Sequence, residues 1–146
     1  MRGYSVPETK LRPGQTARVS LAWQGEPSRT HSAAAVPARR LASFVHIRNS
    51  QKGGPTNPRT GNEIWAQDEH ETPAGLFTTE YLPGRLYLDE FRVRLPDDMS
   101  PGEYFLEVGW ADLAAGEQLE PQADSVMPPL KVLWRSILLP NLTVTG

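Results

Sequence analysis

Three histidines, His31, His46 and His70, are the only imidazoles in this sequence, and cysteine is missing altogether. Without a thiol, disulfide frameworks, thiolate zinc sites and cysteine nucleophiles are excluded. A hydrolytic triad needs a nucleophile, a base and an orienting acid within hydrogen-bond reach of one another. His31 and His70 fall outside the segments expected to be rigid, and there is no nucleophile elbow, Gly-rich phosphate loop or metalloprotease helix. Gly53-Gly54, set between Lys52 and Pro55, punctuates a loop rather than cradling a phosphate. The residue types therefore point away from an enzyme, and no catalytic, cofactor-binding or metal site is expected.

His46 falls in an expected central strand, where a buried imidazole requires a carboxylate or carbonyl partner. Asp89 breaks its own strand's pattern by falling on the apolar side, beside Tyr87 and Phe91. Burying a carboxylate is costly unless it is paired or hydrogen-bonded, so a partner is expected: His46, an arginine, or N–H groups of the Pro83-Gly84 turn. Asp68, Asp89 and Asp112 each sit near an expected strand end, where Ca²⁺ would draw carboxylate oxygens from loops. No run has the acid spacing of a calcium loop, so the favoured reading of His46, Asp68 and Asp89 is a structural polar network. Among the aromatics, Trp65, Tyr81, Trp110 and Trp134 could stack on sugars. Alternation turns Trp110 and Trp134 inward and leaves Trp65 and Tyr81 as the candidate ligand-facing rings.

The elements that would position these residues have an apolar period of two. Ala17, Val19, Leu21 and Trp23 alternate with Arg18, Ser20, Ala22 and Gln24. Tyr87, Phe91, Val93 and Leu95 alternate with Glu90, Arg92 and Arg94, and Tyr104, Leu106, Val108 and Trp110 with Phe105, Glu107 and Gly109. Each of these three strands follows a Pro-Gly turn, at Pro13-Gly14, Pro83-Gly84 and Pro101-Gly102. Leu41 to Arg48 is apolar on both sides, Glu63 to Asp68 is a shorter strand, Leu130 to Leu139 closes the chain, and a short strand near Tyr4 to Pro7 opens it. Gly25 to Arg40 and Asn49 to Asn62 read as long mobile loops. Tyr104, at the start of a late strand directly after a turn, resembles the corner tyrosine of immunoglobulin-like folds. The expectation is an all-β, immunoglobulin-like antiparallel sandwich of seven to eight strands, forming a single domain over residues 1–146.

A chain of 146 residues buries roughly 70% of its unfolded surface, enough to fold without a staple. The net charge of −2 argues against nucleic acid, but it conceals an asymmetry: residues 1–60 hold ten Lys/Arg and two acids, residues 61–146 five Lys/Arg and fifteen acids. In a sandwich whose strands interleave, this predicts charge pairing between the halves. No stretch is long and apolar enough to cross a membrane. A protein or a glycan remains as a partner, and the isolated domain is expected to be a monomer.

Several short motifs recur in a familiar order: Leu11-Arg12-Pro13-Gly14-Gln15, Val19 to Trp23, Phe44 to Ile47, Ala66-Gln67-Asp68, Leu82-Pro83-Gly84, Asp89-Glu90-Phe91, Pro101 to Tyr104 and Val108-Gly109. From about residue 10 to about residue 120 this order resembles the β-sandwich domain that follows the membrane spans of bacterial glycosyltransferases similar to the protein O-mannosyltransferases using lipid-linked sugars. The resemblance implies a noncatalytic interaction or structural module on the extracytoplasmic side of a bacterial membrane, with the active site elsewhere in the parent protein. A carbohydrate-binding module using exposed aromatics is the alternative.

Overall fold

A computed structural model describes residues 1–24, 40–51, 53–119, 121, 130–133 and 135–146. Ten strands run through them: β1 (Gly3–Ser5), β2 (Lys10–Leu11), β3 (Thr16–Gln24), β4 (Leu41–Asn49), β5 (Ile64–His70), β6 (Leu86–Arg94), β7 (Gly102–Asp112), β8 (Glu117–Gln118), β9 (Val132–Leu133) and β10 (Ser136–Val144). Two single turns of 3-10 helix, Pro73–Gly75 and Thr78–Glu80, are the only helical segments among the described residues.

The strands form two sheets that pack as a sandwich. Sheet A has the order β1-β3-β6; sheet B has the order β2-β10-β7-β4-β5, with β8 beside β7 and β9 beside β10. The period of two becomes burial directly. In β3, Ala17, Val19, Leu21 and Trp23 are at most 3% exposed, and across the gap they meet Val45 and Ile47 of β4, Leu106 and Val108 of β7, and Ile137 and Leu139 of β10. β3 and β6 pair without a bulge over nine residues, from Thr16 opposite Arg94 to Gln24 opposite Leu86. The Pro-Gly turns work as their chemistry demands: Gly14 and Gly84 have φ of 80° and 73°, values that a side chain resists.

The structure departs from the sequence pattern in four places. The strand count is ten rather than seven or eight, because three two-residue strands carry no readable periodicity. The sandwich is not wholly antiparallel: after β1 the chain crosses from sheet A to sheet B, and β2 lies parallel to β10, with Lys10 opposite Thr143. The expected strand from Leu130 to Leu139 is two strands, since β9 turns back and pairs antiparallel with β10, Leu133 opposite Ser136. β10 then continues past Pro140, where its register against β7 shifts between Leu139 and Leu142. Proline lacks the ladder N–H, and a bulge tolerates that loss.

Of the two expected loops, residues 25–39 of the first lie outside the described residues. The second is organised by side-chain amides. Asn57, 7% exposed, accepts from Arg59 N–H at 3.0 Å and donates to the Ile64 carbonyl at 3.3 Å, while Asn49 Nδ2 donates to the Pro55 carbonyl. Such amides substitute for a backbone ladder.

Candidate functional site

Asp89 lies on the core face of β6, 1% exposed. Its Oδ2 accepts from the Ser43 hydroxyl. Its Oδ1 accepts from the Ala74 N–H at 3.2 Å and lies 2.7 Å from His70 Nδ1. Ser43 of β4 and His70 of β5 are opposite one another in sheet B, so both reach across the core to one carboxylate of sheet A. The His70 ring also stacks on Phe91 of β6, with centroids 3.9 Å apart and planes 6° apart. Its Nε2 is 3.4 Å from Asp68 Oδ2. The result is a polar clamp between the sheets, Asp68–His70–Asp89–Ser43. Serine, histidine and aspartate are present, but not in the order that makes a nucleophile: the Ser43 hydroxyl donates to the acid rather than to the imidazole, and Ser43 is 0% exposed.

The Ala74 N–H comes from a constrained turn. Ala74 has φ of 55°, the only positive value among the described non-glycine residues. This conformation lets the 3-10 turn present its N–H to Asp89, and Tyr81 braces the same turn by donating its hydroxyl to the Pro73 carbonyl at 2.7 Å.

His46 is not part of this clamp, contrary to expectation. Alternation along β4 sends Ser43, Val45 and Ile47 into the core and places His46 with Phe44 and Arg48 on the outward face of sheet B. There His46 stacks on Phe44 at 4.5 Å. Burial, and then the nearby Arg48 charge, lower its pKa from 6.5 to about 4, so the ring is neutral at pH 7. His46, Arg48, Glu107, Gln118, Arg135 and Ser136 line a pocket of about 180 Å³, completed by Ile64 and Leu133. Glu107 is 4% exposed, and burial pushes its carboxyl above the usual range; Arg48 opposes that shift and Glu63 adds to it. Arg48 Nε is 3.3 Å from Glu107 Oε1 as an ion pair, yet its N–H is aligned with no acceptor among the described residues.

The expected ligand-facing aromatics turn inward. Trp65 is 4% exposed, packs edge-on against Tyr104 at 6.1 Å and donates its Nε1–H to the Pro55 carbonyl at 3.1 Å. Tyr81 is half-buried and stacks on Tyr87 at 3.9 Å; burial, with Asp89 and Tyr87 nearby, raises the pKa of its hydroxyl. Trp110 packs on Trp23 at 4.4 Å, and Trp134 lies outside the described residues. Asp112 caps its own turn, accepting from the N–H groups of Ala114 and Ala115 at 3.0 and 3.2 Å. None of the described hydrogen bonds or ion pairs joins it to Asp68 or Asp89. No cluster of three or more acids and histidines able to hold a metal ion occurs among the described residues. His70, expected outside the rigid segments, is in fact the last residue of β5, and Ser43 is a member of the clamp that the sequence pattern does not single out. The signal for Ser43 was its parity with Val45 and Ile47 on the core face of β4. No family model and no curated protein matches this sequence.

Proposed function

We propose that this chain is a noncatalytic, immunoglobulin-like interaction module appended to a membrane-embedded bacterial glycosyltransferase on its extracytoplasmic side, docking through the outward face of sheet A. The observation that carries the docking reading is on β6: Leu86 and Leu88 are 59% and 60% exposed on the outward face of a regular strand, and Leu82, just before it, is 54% exposed. Beside Leu88 the neighbouring residues on that face are small, Ala22 opposite Leu88 and Gly3 opposite Ala22, while Gln24, which accepts from Arg2, borders Leu86. Grouped exposed leucines on a polar surface mark an interface. The noncatalytic reading draws on the Asp89 clamp, in which Asp89 and Ser43 are buried and their polar groups bond to one another and to His70 and the Ala74 N–H. The immunoglobulin-like reading draws on the order of the two sheets, on the chain crossing from the edge of sheet A at β1 to the edge of sheet B at β2, and on Tyr104, whose hydroxyl donates to the Ser100 carbonyl at 2.6 Å as a corner tyrosine does.

The test uses the full-length protein, purified in detergent with a photo-reactive residue in place of Leu88. A cross-link from this position to the membrane-embedded portion, lost when Leu86 is changed to Asp, is the expected result. A coding sequence without membrane spans, or a Leu88 position that cross-links to nothing, overturns the reading.

A further inference from the structure

We infer that the pocket on the outward face of sheet B binds a neutral, polyhydroxylated ligand the size of one monosaccharide, gripping two neighbouring hydroxyls between Arg48, Glu107 and His46. This site is on the opposite outer face from the leucine patch, so the two assignments stand or fall separately.

The size of the pocket is the first constraint. About 180 Å³ is well below the roughly 300 Å³ at which sites for drug-sized molecules begin, and suits a single six-membered ring. The second constraint is the set of hydrogen-bonding groups left over inside it. The side chain of Glu107 is 6% exposed, and its one partner among the described residues is Arg48, in an ion pair whose Nε–H is misaligned. A buried Nε–H with no aligned acceptor thus lies beside a buried carboxylate engaged only in that ion pair, while the rest of the Arg48 guanidinium, whose side chain is 32% exposed, reaches Glu63 at 3.7 Å. A ligand that gives this N–H an acceptor and the carboxylate a donor completes both. The neutral His46 ring supplies one further donor and one further acceptor.

A hydroxyl group donates and accepts at once, so neighbouring hydroxyls can accept from Arg48 and donate to Glu107 together. Other small ligands fit worse. A carboxylate only accepts and has no proton to give Glu107, and an ammonium only donates and meets Arg48 and Arg135 as like charges; inorganic phosphate meets Glu107 as a like charge and the two arginines as opposite ones, so it is the control that separates hydroxyl recognition from anion binding. Arg135 is tied at the rim by donating to the Gln118 carbonyl at 3.2 Å, and Ile64 and Leu133 offer apolar contact to the C–H face of a ring. No stacking aromatic is required, which separates this site from one built on Trp65 and Tyr81.

The test is titration of the ¹⁵N-labelled chain, followed by amide shifts, with D-mannose, D-galactose, their methyl glycosides, and inorganic phosphate, each to about 50 mM, a range that detects millimolar affinity. The expected result is that at least one neutral hexose shifts the amides of His46, Glu107 and Gln118 together, while phosphate does not. Binding of the methyl glycoside as well identifies a glycan end as the source of the ring; binding of the free hexose alone identifies a soluble sugar. Glu107→Gln should weaken binding about tenfold, the worth of one charge-assisted hydrogen bond. Gln118→Ala, at the exposed rim, provides a second variant should Glu107→Gln fail to fold, and should weaken binding severalfold. The inference is overturned if no hexose moves the pocket amides, if phosphate moves them as strongly, or if a folded Glu107→Gln, or in its absence Gln118→Ala, binds like the parent.

Discussion

Asp89 and Ala74 make opposite demands on stability, and both can be measured. Asp89→Ala would leave the Ser43 hydroxyl, the Ala74 N–H and the His70 ring nitrogen without their acceptor in a site that is 1% exposed. The expected loss is about 3 kcal/mol, read as a lower urea midpoint at unchanged slope. A midpoint equal to the parent's would mean that water replaces the carboxylate at no cost. Ala74→Gly should do the reverse. An alanine held at φ of 55° is strained by about 1–2 kcal/mol, which glycine avoids, although the flexible unfolded chain returns part of the gain. A thermal midpoint raised by the equivalent of about 0.5–1 kcal/mol is expected, and a lower one would show that the turn can relax around alanine. The burial of Asp89 was legible in the sequence, because an acid at an apolar parity position must be satisfied. Its partners were not. His46 is the sequence's candidate for the role because Leu41 to Arg48 is apolar on both faces and hides its parity, whereas the true partner, His70, lies two residues past the expected end of the Glu63 to Asp68 strand, in a polar stretch that carries no alternation to extend it.

At the scale of elements, sheet B depends on one close approach between β4 and β7. Gly109 lies opposite Phe44, and a Cβ added there would come within 2.7 Å of the Phe44 ring and 3.2 Å of the Arg135 carbonyl. Phe44 is 1% exposed even though it belongs to the outward face of its strand, so neither ring nor backbone can yield freely. Gly109→Ala should therefore destabilise by about 1–3 kcal/mol, and the unfolding midpoint in urea checks it. Alanine at Gly53, which has nothing within 4 Å but a φ of 77°, separates the two causes, since only backbone strain acts there. The long strands were legible for the same reason that they are stable: one buried face produces alternation, and alternation survives in the sequence. The two-residue strands and the turn between β9 and β10 were not. Apolar residues on both sides of Leu130 to Leu139 look continuous, and the Ser136 hydroxyl, donating to the Leu133 carbonyl at 3.0 Å, helps tie off the turn.

Across the whole molecule, the two halves of the sequence are joined electrostatically. Arg48 of the basic half meets Glu107 and Glu63 of the acidic half, and Arg59 meets Asp98 at 3.4 Å. This interleaving follows from strands of both halves sharing a sheet, and the charge asymmetry made it legible. Exposed pairs such as Arg59–Asp98 contribute little. The pH dependence is instead expected to follow the buried groups beside Arg48. His46 has a folded-state pKa of about 4 against 6.5 when unfolded. Between these values the unfolded chain holds a proton that the folded chain does not, so stability falls as pH drops from 6.5 towards 4, by no more than about 3 kcal/mol. Glu107 acts in the opposite sense. Its raised pKa means that the folded chain takes up a proton first on acidification, which offsets part of the loss. Urea midpoints at about pH 7.5, 5.5 and 4.5 should thus decline for the parent and decline less for His46→Gln, which cannot take the proton. In Glu107→Gln the compensating group is gone, so the decline should steepen. Parallel curves for all three proteins would mean that neither buried group links folding to protons, and that the carboxylates elsewhere set the acid limit.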